Sequence, residues 1–267
     1  MDTIIISSIV LGSVGIVSAV ILFFVSKKFY VYEDPRIDEV ALLLPGANCG
    51  GCGFAGCRNF AETVVKSAGL NGRSCPPGGV SVNSAIAELF GASTGDETPK
   101  QLIVRCNGDC ENAPAKTIYD SISSCAYFNM LEVGESGCAY GCLGCGDCVK
   151  ACKFDAIEID PKTKLPLVND ACVLCGACAK ACPRSIIDIV PKQQQGVVYV
   201  ACMNKDKGGE AKKNCAVACI GCKKCEKSCE YSAVTVNDNL AIINGATCTA
   251  CGNCKEGCPT KAIHALA

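Results

Sequence analysis

One cysteine spacing, repeated four times, constrains this chain more than any other feature. The run C-x-x-C-x-x-C-x-x-x-C occurs at Cys142/Cys145/Cys148/Cys152, Cys172/Cys175/Cys178/Cys182, Cys219/Cys222/Cys225/Cys229 and Cys248/Cys251/Cys254/Cys258. The 267 residues contain 26 cysteines, against one histidine and no tryptophan. Such a density means either a disulfide scaffold or a metal protein. Disulfide frameworks belong to oxidising compartments, so the first question is on which side of a membrane these thiols lie.

The N-terminus answers it. Ile4 to Val25 is a run of 22 residues without a charge. At ~1.5 Å per residue it spans roughly 33 Å, enough to cross a bilayer core of ~30 Å. Asp2 precedes the run while Lys27 and Lys28 follow it, the reverse of a cleaved signal peptide. The segment reads as a single-pass, uncleaved anchor, and basic residues after it place the remainder in the cytoplasm. Thiols stay reduced there, which favours metal thiolates. Ser8, Gly12, Gly15 and Ala19 share one helical face. Small residues so placed suit packing against another membrane helix, although they are also common in membrane helices generally.

Zinc does not fit the cysteine pattern, because structural zinc sites usually take two C-x-x-C pairs rather than four cysteines in one run. The spacing is that of bacterial two-cluster ferredoxins. Three cysteines of a tight loop take three corners of a 4Fe–4S cubane, and the fourth ligates the partner cluster. The expected sets are therefore Cys142, Cys145, Cys148 with Cys182, and Cys172, Cys175, Cys178 with Cys152. The second pair is Cys219, Cys222, Cys225 with Cys258, and Cys248, Cys251, Cys254 with Cys229. Short apolar strands are expected after each fourth cysteine, at Ala156–Ile159, Ile186–Val190, Ala233–Val236 and Ala262–Ala265. The two modules form a repeat, since Cys138 and Cys142 map onto Cys215 and Cys219 with an offset of 77. Strand-like runs ending in cysteine, Leu102–Cys106 and Val197–Cys202, precede each module. The polar stretch Lys192–Gly196 reads as the linker between them.

Ten cysteines remain. Cys49, Cys52, Cys57 and Cys75 form a separate set, flanked by glycines that let backbone amides approach cluster sulfurs, the alternative being a zinc knuckle. Arg58–Ala68 reads as the helix leading from Cys57 toward Cys75. Cys106, Cys110, Cys125 and Cys138 are a candidate sixth cluster, the alternative being buried free thiols. Cys202 and Cys215 are left unassigned.

The order of parts carries a resemblance. An anchor helix precedes Pro45-Gly-Ala-Asn-Cys-Gly-Gly-Cys-Gly-Phe-Ala-Gly-Cys57, then Gly141-Cys-Leu-Gly-Cys-Gly-Asp-Cys148 and the ferredoxin repeats. This resembles, over essentially the whole chain, the B subunits of Rnf complexes, in the long form with two ferredoxin modules. Rnf complexes are membrane ferredoxin:NAD oxidoreductases that couple electron flow to sodium or proton translocation. The resemblance implies 4Fe–4S clusters and partner membrane subunits that carry flavin and the NAD site; the cysteine sets themselves count five clusters, or six with the candidate set. It implies a place in the bacterial inner (plasma) membrane, with the cluster domains cytoplasmic. Lys153 and Glu230 depart from the ferredoxin pattern, in which Pro often follows the fourth cysteine. That departure bears on cluster potentials more than on ligation.

The expected fold is α+β. Its parts are an anchor helix over residues 1–28, a single-cluster 4Fe–4S domain over 33–95, a first ferredoxin module with its lead-in over 100–191, and a second over 196–267. An electron carrier of this kind is part of an oxidoreductase and needs no acid–base residues. His264 reads as a surface residue near the C-terminus. No G-x-G-x-x-G follows a strand, so neither NAD nor flavin is expected on this chain. Gly245-Ala246-Thr247 resembles part of a flavin-attachment motif, but it sits directly before Cys248 and reads as a ferredoxin lead-in. Soluble ferredoxin is the expected donor, and the lysine-rich stretch Met203–Glu230 is its candidate dock. A formal net charge of −1 gives no reason to expect nucleic-acid binding. Two other readings remain, a polyferredoxin of a different membrane reductase and a zinc-based interaction scaffold.

Overall fold

The computed structural model describes residues 2–29, 33–92, 99–120, 123–131, 134–193 and 195–266. Helix α1, Asp2–Lys28, is the apolar run, and Ile5–Lys28 is long and apolar enough to cross a membrane. Its apolar side chains are bare along its length; Leu11 is 73% exposed. Such a surface is stable in lipid and costly in water.

Three helices build the domain that follows: α2 (Arg36–Leu43), α3 (Cys57–Lys66) and α4 (Gly79–Leu89). Ile37, Val40, Phe60, Ala61, Val64 and Ile86 form its core, and Cys75 is buried in the same cluster. Phe60 and Phe54 meet edge to face with ring centroids 5.5 Å apart. Helix α3 starts at Cys57 rather than after it. Helix α4 has no counterpart among the elements expected from the sequence.

The rest consists of two modules of the same design. In the first, β1 (Lys100–Val104) pairs antiparallel with β4 (Ile187–Pro191), and β2 (Ile157–Ile159) forms a hairpin with β3 (Pro166–Val168). In the second, β5 (Val197–Val200) pairs with β8 (Ile263–Leu266), and β6 (Val234–Asn237) with β7 (Leu240–Ile243). The lead-in strand of each module thus closes on its last strand. Short helices follow in order: α5 (Cys125–Met130), α6 (Asp147–Lys150), α7 (Ala177–Ala181), α8 (Gly208–Asn214), α9 (Lys224–Lys227) and α10 (Asn253–Glu256). The four expected strands are present, each beginning one residue later than the hydrophobic run suggests. Their hairpin partners β3 and β7 are not expected from the sequence.

The four cysteine runs share one backbone trace. The residue before the second cysteine is left-handed in each: Gly144, Leu174, Gly221 and Ala250. The residue after it is left-handed too, at Gly146, Gly176, Lys223 and Gly252, and it caps the short helix carrying the third cysteine. Three residues past the fourth cysteine, Asp155, Ser185, Ser232 and Lys261 repeat the conformation. Left-handed geometry costs non-glycine residues roughly 1–2 kcal/mol, so a strain this regular reflects a common purpose.

The linker is a tight turn, closed by a bridge between Gln193 and Gly196, and Gln193 Nε2 donates to the Gly245 carbonyl at 2.6 Å. His264 corrects the surface reading. It lies on β8 opposite Tyr199 with ring centroids 6.1 Å apart, is half-buried, and that burial lowers its pKa.

Phe60 is 1% exposed and joins α3 to the cysteine loop through Phe54. Phe60→Ala should cost about 3–5 kcal/mol, the usual range for deleting a buried aromatic ring. Urea unfolding of the small domain, followed by its circular dichroism, should show the midpoint falling accordingly.

Candidate metal centres

Each cysteine run places its third sulfur deepest. Cys148, Cys178, Cys225 and Cys254 are all buried, and each heads a one-turn helix behind the left-handed residue that turns the chain inward. The fourth cysteine points away from its own run. Cys182 lines a cavity with Cys142 and Cys148, walled by Ile159, Pro166 and Ile187. Cys152 lines another with Cys172, Cys175 and Cys178 under Leu102 and Ile157. In the second module Cys258 faces Cys219, Cys222 and Cys225, and Cys229 faces Cys248, Cys251 and Cys254. Near the N-terminus Cys75 faces Cys49, Cys52 and Cys57.

Burial and crowding dominate the chemistry of these sulfurs. Burial first, then the charge of neighbouring cysteines, pushes Cys148 up to about 11, and Cys178, Cys225 and Cys254 likewise to about 11. Cys145 is pushed up to about 12, by burial and then by Cys125. Such groups are neutral thiols near pH 7 and become good ligands only when a cation displaces their protons. Among the described residues no three of His, Cys, Asp and Glu converge closely enough to hold one metal ion. In the first module the sulfurs line shared cavities. Backbone amides approach several of them, including Gly51 N to Cys49 Sγ at 3.5 Å, Ala233 N to Cys229 Sγ at 3.4 Å and Ala250 N to Cys248 Sγ at 3.4 Å.

Several positioning residues are not legible as such in the sequence. Asn48 Oδ1 accepts from the amide of Cys57 at 2.8 Å, satisfying a free donor at the start of α3 and holding the cysteine loop closed. A Cβ on Gly56 would stand 2.8 Å from that oxygen, so a side chain there would push Asn48 off the Cys57 amide. Asn83 is 3% exposed and grips Cys75 from both sides. Its Oδ1 accepts from Cys75 N at 2.8 Å, and its Nδ2 donates to the carbonyls of Cys75 and Gly79. A lone Asn on the apolar face of α4 is the signal that sequence offers. Arg184 donates to the carbonyls of Cys138 and Gly141 at 2.8 and 2.7 Å, fixing the loop ahead of Cys142.

The small domain abuts the first module at its Cys175 corner. A Cβ on Gly51 would lie 2.9 Å from the Cys175 carbonyl oxygen. Lys153 Nζ donates to the Asn48 carbonyl at 3.0 Å, and Lys180 Nζ to that of Gly50 at 3.5 Å. The departure from Pro at Lys153 therefore provides a contact between domains.

The four cysteines expected to hold a sixth cluster are not gathered in one place. Cys110 is exposed, with its Sγ 3.8 Å from the Thr163 carbonyl. Cys125 heads α5 beside Cys145 and lines the cavity of Cys142, Cys148 and Cys182. Cys106 and Cys138 line a different cavity, together with Cys202 and Cys215. The expected set thus needs correction, because chain neighbours point into separate spaces.

Comparison with known proteins gives the family. Models of a 4Fe-4S dicluster domain match residues 141–186, 171–233 and 218–263, and a model for an Fe-S cluster matches 44–77. The B subunit of the ion-translocating oxidoreductase complex of Methanosarcina acetivorans is 44% identical over 99% of both chains. The chain belongs to that family. The B subunit of the proton-translocating ferredoxin:NAD(+) oxidoreductase complex of Clostridium ljungdahlii is 39% identical over 100% of this chain and 94% of its own. Its counterpart in the Na(+)-translocating complex of Acetobacterium woodii is 41% identical over 95% of this chain and 75% of its own. As an Rnf-type B subunit the chain is an iron–sulfur, electron-transferring member of an oxidoreductase complex, associated with the membrane.

Two outcomes follow from the cavities. Cys182→Ala should remove the electron paramagnetic resonance signal of the cluster at Cys142, Cys145 and Cys148, and spare the one beside it in sequence. Loss confined to the Cys172 cluster would contradict this grouping. Because raised thiol pKa values make iron uptake release protons, reconstitution of iron-stripped protein should be more complete at about pH 8.5 than at about pH 6.5. Equal recovery of absorbance near 400 nm at both values would mean that the thiols ionise before iron arrives.

Proposed function

We propose that this chain is the cytoplasmic electron wire of its complex, taking electrons from reduced soluble ferredoxin and delivering them to membrane subunits that carry flavin and the NAD site. A 4Fe–4S cluster supplies one-electron storage at a potential set by its protein surroundings. The ligand sets are Cys49/Cys52/Cys57/Cys75, Cys142/Cys145/Cys148/Cys182, Cys172/Cys175/Cys178/Cys152, Cys219/Cys222/Cys225/Cys258 and Cys248/Cys251/Cys254/Cys229. Helix α1 crosses the membrane once, with Lys27 and Lys28 on the cytoplasmic side.

The observation that carries the direction is a difference between the modules. Cys222 and Cys251 are exposed, while their counterparts Cys145 and Cys175 are partly covered. In the first module Gly51 seals the Cys175 corner, and the segment ahead of α5 covers Cys145. The second module is the open end, suited to a soluble donor, and the small domain is the closed end next to the membrane helix. Between these ends the chain's residues exclude water with the cores around each cavity and direct backbone amides at the sulfurs.

The open end is basic. Lys205, Lys207, Lys212, Lys213, Lys223, Lys224 and Lys227 are all exposed, and Lys223 and Lys224 adjoin Cys222. Acidic ferredoxins would be steered there, an effect on association rate that salt screens as the Debye length falls from ~10 Å at 0.1 M to ~3 Å at 1 M. Replacing Lys223, Lys224 and Lys227 by Gln should slow reduction by ferredoxin severalfold at low salt. Iron content and reduction by a small uncharged donor should not change. A triple variant with the wild-type rate and salt dependence would place the dock elsewhere.

A further inference from the structure

The cavity shared by Cys106, Cys138, Cys202 and Cys215 lies between the two ferredoxin modules; none of these four belongs to the five sets, of which only Cys142 reaches its wall. Each module contributes two of the four sulfurs in equivalent ways. Cys106 follows strand β1 and Cys202 follows β5. Cys138 and Cys215 occupy the same place ahead of their modules, with an offset of 77. The hydrogen bonds repeat as well. Cys142 N donates to Cys106 Sγ at 3.3 Å, and Cys219 N donates to Cys202 Sγ at 3.3 Å.

The walls of the space leave the sulfurs uncovered by side chains. A Cβ on Gly108 would stand 3.2 Å from Cys215 Sγ and 3.9 Å from Cys106 Sγ. One on Gly141 would stand 3.4 Å from Cys138 Sγ and 3.7 Å from Cys106 Sγ. Neither glycine has positive φ, so the demand for a missing side chain is one of room rather than backbone conformation. Asn204 is 1% exposed, yet its Nδ2 points at Cys138 Sγ at 3.6 Å and its amide at Cys202 Sγ at 3.4 Å. Buried donors aimed at sulfur favour a charged sulfur over a neutral thiol. The walls are held from both sides. Ala216 N donates to the Asn112 carbonyl at 2.8 Å, Lys116 Nζ to Asn214 Oδ1 at 2.6 Å, and Ala113 packs in the second module's core.

We infer that Cys106, Cys138, Cys202 and Cys215 bind a sixth 4Fe–4S cluster that joins the two ferredoxin modules. It stands between the runs beginning at Cys142 and at Cys219, the gap that an electron crossing from one module to the other has to pass. Cys110 and Cys125 take no part in it. The inference rests on the iron–sulfur reading of the chain but not on the identity of its donor or acceptor.

Iron and acid-labile sulfide on the full-length chain, purified in detergent without air, decide it. Six cubanes give about 24 iron atoms per chain and five give about 20. The wild-type chain should hold about 24, whatever becomes of any variant. Cys202→Ser and Cys215→Ser should each lose about four, with one signal fewer in the reduced electron paramagnetic resonance spectrum, while Cys110→Ser should keep about 24. A wild-type count of about 20, with or without one zinc, overturns the sixth cluster and leaves the five-cluster wire standing. Loss of four irons from Cys110→Ser but none from Cys202→Ser overturns the ligand set. Iron below about 20 in every form would instead strike at the five ferredoxin-type sets and the proposed function with them.

Discussion

Sulfur atoms from distant parts of the chain must share small, dry spaces, and the rest of this structure depends on how that is achieved. Bringing four thiolates together without a cation is prohibitive, because like charges in a low dielectric repel strongly and each has lost its water. Neutral thiols can share the space, and the raised pKa of Cys148, Cys178, Cys225 and Cys254 shows that condition. Bound iron would convert it into a bonded one and would tie the start of each run to the end of another. Folding and metal loading would then be one equilibrium, as in other small metallo-domains. The thin hydrophobic cores of the modules, in which the cysteines themselves are packing members, accord with this.

Much of this organisation could be read from residue order. Spacing within each run marked the tight loop whose left-handed residues recur in all four copies. Short apolar runs marked β2, β4, β6 and β8 to within a residue at their starts. Less was visible where the determinant was a contact between distant segments. Strands β3 and β7 are too short to carry a period of their own and exist as the return legs of hairpins. Asn83 and Arg184 act on carbonyls and amides that sequence does not locate. Grouping Cys106 with Cys110 and Cys125 failed because proximity in the chain was taken for proximity in space. The turn through Asp109 and Asn112 sends Cys110 outward, while Cys106 stays at the end of its strand.

The two modules share a design but differ in how they are covered. The first is enclosed by the small domain at Gly51, Lys153 and Lys180, and by α5 with its preceding residues. The second carries no such additions among the described residues, and the left-handed Lys223 stands where the other runs have glycine. Duplication explains the common backbone; the additions explain why the copies can differ in potential, since solvent exposure and hydrogen bonds to sulfur are the protein's main controls over it.

Exposure at Cys222 and Cys251 has a further consequence, for damage rather than transfer. Oxidants attack sulfur according to its access, and bridging iron is lost once a ligand is oxidised. The molecule therefore ages from its outer end. Oxidants reach Cys222 and Cys251 before Cys145, Cys175 or the buried Cys75. Oxidation at the outer end would leave the core of the small domain intact, so that the chain loses function before it loses its fold.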